Sequence, residues 1–125
     1  MANPNIVNVA TINGNMLSAA VGTGSPDTQI VTNAASSGKI FKINSLYVAN
    51  IDGSASVDVS VRMYSVAALG GTATAIASTV AVAADSTLVV ITKDSAIYLL
   101  ENQSLGCLCV TSGDLQFVAS WDEIS

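Results

Sequence analysis

The chain has no histidine, and that absence removes more chemistry than any residue present supplies. Without imidazole the usual nucleophilic triads are missing, and so are the commonest general base and the commonest metal ligand. Cations are nearly as scarce. Lys39, Lys42, Arg62 and Lys93 stand against nine acidic residues, for a formal charge of −5. Binding to nucleic acid by counterion release needs several phosphate contacts from clustered Lys and Arg. Beyond the Lys39/Lys42 pair nothing clusters, so no nucleic-acid partner is expected.

Cysteine is limited to Cys107 and Cys109, two apart in a strand-like run. Such residues share one side of a pleat, a bridge between them would be strained, and two ligands do not make a zinc site. Buried small hydrophobes are the expected role. A long apolar run is also missing. Residues 63–84 carry no charge, but they contain Gly70-Gly71 and are dominated by Ala, Thr and Ser. A spanning helix needs Leu, Ile and Phe across about 20 residues, so no membrane partner is expected. Met-Ala-Asn-Pro-Asn at the start lacks the basic region and apolar stretch of a secretory signal, which points to cytoplasmic synthesis.

What is present is small and apolar. Hydrophobic residues make up 50% of the 125 positions and charged residues 10%, with a mean hydropathy of +0.56. Soluble domains carry roughly 25% charged residues. A chain of this size forms one domain. With so little charge, part of its exterior is expected to lie against neighbouring subunits, while Ser, Thr and Asn solvate the rest.

The clearest pattern lies between Lys39 and Tyr64. Val57, Val59, Val61 and Met63 alternate with Asp58, Ser60, Arg62 and Tyr64, giving a strand with one dry and one wet face. Upstream, Phe41 and Ile43 are out of phase with Leu46 and Val48, and a bulge near Asn44-Ser45 would repair the slip. Asn50 to Ser54 has turn composition, so an antiparallel hairpin is expected here.

Other expected strands span 5–12, 16–21, 28–34, 74–83, 87–92, 96–101, 104–111 and 115–121. A turn is expected at Asn13-Gly14-Asn15, a bend at Gly70-Gly71 and a tight hairpin turn at Ser112-Gly113-Asp114. Ile76, Val80 and Val82 share a parity, as do Leu115, Phe117, Ala119 and Trp121. The fold class is all-β: an antiparallel, jelly-roll-like β-sandwich of about eight to ten short strands. Residues 1–27 read as an N-terminal arm or edge-strand segment, and 28–125 as the sandwich domain.

No catalytic signature emerges. Asp52, Asp85, Asp94 and Asp114 sit beside Gly or Ser in expected turns, where Asp caps its own backbone. They lack the spacing of a calcium loop, and no glycosidase pair is marked. Gly70-Gly71-Thr72 lacks the lysine of a phosphate-binding loop. No enzymatic activity, cofactor or metal is expected. Tyr47, Tyr64, Tyr98 and Trp121 are the polar aromatics on which a carbohydrate-binding module would stack sugar rings.

Four stretches together resemble a known group: SLYVANIDG (45–53), VDVSV (57–61), ADSTLVVITKDSAIYLLENQSL (84–105) and GDLQFVASWDEIS (113–125). They resemble small β-sandwich proteins of the structural modules of tailed bacteriophages, especially those of marine and cyanobacterial hosts. The likeness covers most of residues 39–125. It implies a non-enzymatic virion component, made in the host cytoplasm. The position implied is a capsid decoration or cement protein bridging major capsid subunits, or a neck, collar or tail-fibre-associated protein. Partners are then further copies of the chain, as a trimer, and the major capsid protein or another virion protein. Candidate subunit contacts are Arg62 and Tyr64 on the wet strand face, and Asn5, Ile6 and Val9 in the arm.

Overall fold

The structure, a computed structural model, describes residues 4–24, 26–111 and 113–125. Among the described residues there are nine strands: β1 (Ile12–Ala20), β2 (Thr28–Asn33), β3 (Ile40–Asn50), β4 (Val57–Val66), β5 (Gly70–Val82), β6 (Thr87–Ile91), β7 (Ile97–Leu99), β8 (Gln103–Cys109) and β9 (Leu115–Ile124). The one helical element among the described residues is a single 3-10 turn, Lys93–Ser95. The all-β expectation holds.

The strands form two antiparallel sheets. Sheet A has the order β1-β9-β3-β6, with β7 also on β3, and sheet B the order β2-β8-β4-β5. The pairs β1–β9, β2–β8, β3–β6/β7 and β4–β5 are the rungs of one long folded ribbon. The ribbon then coils, so that β9 also pairs with β3 and β8 with β4. This is the jelly-roll solution, in which one antiparallel ribbon wraps around its own core.

The core lies between the sheets. Val57, Val59 and Val61 of β4 meet Phe41, Ile43, Leu46 and Val48 of β3, with Leu115, Phe117, Ala119 and Trp121 of β9 beside them, all buried. The parities expected for β4 and β9 therefore hold. So does the β3 bulge: Ile43 faces Trp121 while Ser45 faces Ser120, leaving Asn44 as the extra residue. Each fully buried Leu, Ile or Phe contributes ~1.5–3 kcal/mol over an exposed one.

Several local expectations need correction. The central stretch is not a hairpin: β3 and β4 belong to different sheets, and residues 51–56 cross the sandwich. The reason is Asn50, which is buried. Its Nδ2 donates to Ala55 O and Val82 O, each at 2.9 Å, and its Oδ1 accepts from Asp52 N at 2.9 Å. A turn in the sheet plane would leave this amide buried without partners, a cost of about 1–3 kcal/mol. Asn33 pins the β2–β3 crossing in the same way. It donates to Lys39 O at 2.9 Å and Leu99 O at 3.2 Å, and accepts from Ser37 Oγ at 2.6 Å.

The turn after β8 is likewise a crossing, since β8 and β9 lie in different sheets; Ser112 falls outside the described residues. At the start, residues 6–8 form a turn and bend, and Asn13-Gly14-Asn15 lies inside β1, where β9 supplies a continuous ladder that overrides local turn preference. Gly70-Gly71 opens β5 instead of a loop, and the true hairpin joins β4 to β5 through Ala67–Leu69, with Ala68 and Leu69 at positive φ. Two bulges in β5 also break the shared parity of Ile76, Val80 and Val82: Val82 is buried while Ile76 is exposed.

Of residues 1–27, positions 10–24 are laid into the sandwich. Ala10 N and Thr11 N donate to Ser125 O at 2.8 and 3.1 Å, β1 edges sheet A, and Val21 is buried with its N–H on Leu115 O at 2.9 Å.

Candidate functional site

The wet face of β4 looks outward from sheet B and meets the loop before β2. Asp27, 8% exposed, sits above that face with both carboxylate oxygens engaged. Arg62 Nη2 donates to its Oδ1 at 3.0 Å and the Tyr64 hydroxyl to its Oδ2 at 2.6 Å. Strand alternation explains the arrangement: Arg62 and Tyr64 are two apart on one face, so one carboxylate spans both. Burial first, and then the hydrogen bond and charge of Asp27, hold the Tyr64 hydroxyl above its ordinary pKa, so it stays a donor.

Gly106 of β8 lets this cluster settle on the sheet. A Cβ there would lie 2.7 Å from Leu69 Cδ2 and 3.2 Å from both Asp27 Cβ and Thr28 O. The β4–β5 turn is tied down beside it: Leu69 N donates to Ser104 Oγ at 2.8 Å, and Ser104 Oγ donates to Val66 O at 2.8 Å. Two adjoining hollows result. One, of about 420 Å³, is lined by Gly24, Pro26, Asp27, Arg62, Tyr64, Leu69 and Leu108. The other, of about 440 Å³, is lined by Ser60, Arg62, Ala73, Ala75, Ser78, Thr79 and Leu108.

A second surface covers the outside of sheet A. Tyr47 of β3 is paired laterally with Val118 of β9 and Val89 of β6, and all three are exposed. At the margin, all nine residues of β1 are exposed, on both faces of the strand; Ile12 and Met16 are each 58% exposed. Its outer edge has no partner strand among the described residues.

The structure therefore brings Arg62 and Tyr64 together around Asp27, which no sequence pattern marks. Asn5, Ile6 and Val9 lie elsewhere, in the lead-in to β1 beside the end of β9. Asn5 accepts from Val7 N at 2.9 Å and Ile6 is exposed. Trp121 is buried and drops out as a stacking platform, whereas Tyr98 is exposed. The Tyr47 row was missed because its members come from three distant segments.

Cys107 and Cys109 are free and buried. Burial first, with the charge of Asp27 behind it, pushes the Cys107 thiol up to about 12. Burial also raises Cys109, whose Sγ donates to Thr111 O at 3.0 Å. Both are inert thiols at neutral pH. Asp52 accepts from Ser54 N and Oγ, each at 2.8 Å, as a turn-capping carboxylate does. Among the described residues no three metal-ligating side chains come together, and no helix is long and apolar enough to cross a membrane. In comparisons with known proteins, no family model, curated protein or solved structure matches this chain.

Proposed function

We propose that the chain is a non-enzymatic virion structural protein, a capsid decoration or cement protein that self-associates, as a trimer, and bridges major capsid subunits. The observation that carries this reading is β1. An uncharged nine-residue edge strand, bare on both faces, is what a free-standing monomer avoids, usually with Lys, Pro or a covering loop. Asn5 to Thr11, which lead into β1, likewise carry no charge and no Pro. The Tyr47–Val118–Val89 row adds an apolar patch of the kind that marks protein contacts. Many weak contacts repeated over a rigid shell hold through multivalency. The four stretches that resemble phage sandwich proteins point to the virion as the setting.

The test is sedimentation of the purified chain, followed by its copy number in particles. A homo-oligomer that Met16→Lys with Tyr47→Lys dissociates is the expected result. A monomer at all concentrations overturns self-association. Occupancy matching the capsid lattice supports decoration, and a single ring's worth of copies supports the neck, collar or tail-fibre alternative.

A further inference from the structure

We infer that the trough on the outer face of sheet B is a binding site for a neutral oligosaccharide. This does not rest on the virion reading. The two hollows share Arg62 and Leu108, so the depression runs across β8, β4 and β5 instead of along one strand. At about 420 and 440 Å³ each hollow falls in the range of small-ligand sites.

Its chemistry is neutral and rich in hydroxyls. The charges of Asp27 and Arg62 cancel at 3.0 Å. A free anion would meet one cation already paired, on a chain of net charge −5. A free cation would find both Asp27 oxygens occupied and the carboxylate buried. Ser60, Ser78 and Thr79 line the far half, over a floor of Ala73 and Ala75 that leaves room above the backbone. Thr79 is fixed there by a positive φ of 52° and by its N–H on Ser60 Oγ at 2.9 Å.

An extended peptide is the other obvious occupant, and the trough suits it poorly. Peptides add to open strand edges or seat apolar side chains in pockets. This floor lies on the face of β8, β4 and β5, not along the open outer edge of β5, and its side chains are small. A sugar chain, with vicinal hydroxyls and one apolar ring face, matches a fixed Asp–Arg–Tyr cluster followed by a smooth, hydroxyl-edged floor.

The experiment is a titration of the ¹⁵N-labelled protein with cellohexaose, xylohexaose, maltohexaose, mannohexaose and chitohexaose, with extended peptides run in parallel. At least one sugar is expected to give saturable shifts at the amides of Arg62, Thr79 and Leu108. Ala75→Trp fills the floor from an exposed position and should weaken that binding at least tenfold with thermal unfolding unchanged. No saturable shift with any sugar at millimolar concentration overturns the inference. So does binding that Ala75→Trp leaves intact, or saturation by the peptides instead of the sugars.

Discussion

The hydroxyl of Tyr64 donates to Asp27 at 2.6 Å across 37 positions of sequence, and this bond joins the loop before β2 to the middle of sheet B. Arg62 shares the same carboxylate. Asp27→Ala strips both donors of their partner. The expected cost is about 1–3 kcal/mol, at the lower end because Arg62 is over a third exposed and solvent screens its charge. Tyr64→Phe should cost about 1 kcal/mol. Urea unfolding checks both as a lower midpoint with an unchanged slope.

Gly106→Ala tests the close approach that lets the cluster sit down. The added methyl meets Leu69, which can swing, but also the fixed Thr28 carbonyl at 3.2 Å. A destabilisation of about 1–3 kcal/mol is expected, with amide shifts in Ala67–Leu69 and Asp27. A variant as stable as the parent would show that the sheet and loop have more room than the geometry gives them.

The two thiols should resist alkylation in the folded protein through pH 9 and react once the chain is unfolded in guanidinium. With the Cys107 pKa raised to about 12, the thiolate that attacks the reagent is scarce at that pH, and burial blocks access as well. Reagent uptake with and without denaturant gives the answer directly.

Glu123 links stability to pH. Burial alone would raise its pKa, but hydrogen bonds from Asn15 and Lys39, with the Lys39 charge 3.2 Å away, outweigh this and hold it below the ordinary 4.5. A carboxylate depressed in the folded state contributes stability above its unfolded pKa and loses it as pH falls through the folded one. Stability is therefore expected to drop below about pH 4.5. In Glu123→Gln that part of the acid loss should be absent, as thermal scans across pH would show.

Two truncations separate the lead-in from the sandwich. Removing residues 1–9 leaves β1 and Val21 in place and should leave the fold intact. Removing residues 1–27 takes away the edge strand, the buried Val21 and Asp27. Val21 alone is worth ~1.5–3 kcal/mol, so a melting temperature lower by several degrees is expected. Circular dichroism melts of the two truncated chains decide it.

Much of the fold was legible because side-chain period is a local property. The alternation in Val57–Met63 and Leu115–Trp121 marks buried faces that the structure confirms, and the phase slip after Ile43 marks the Asn44 bulge. Partner choice was not legible. Asn50 and Asn33 look like turn formers in one dimension, yet each is a buried bracket that sends the chain across the core. Asn13-Gly14-Asn15 reads as a turn and is held straight by β9. Arg62 and Tyr64 were visible on the wet face, but the carboxylate they share was not. It comes from a loop with no period to read.

Composition and alternation act residue by residue, and they were enough to show a chain of strands, most with one apolar face, that has no histidine chemistry. Which strands pair, that β3 and β4 face each other across the core, and that Asp27 meets Arg62 and Tyr64 over Gly106 were settled in three dimensions. Those outcomes depend on satisfying buried amides and filling one common interior, and both are conditions on the whole coiled ribbon.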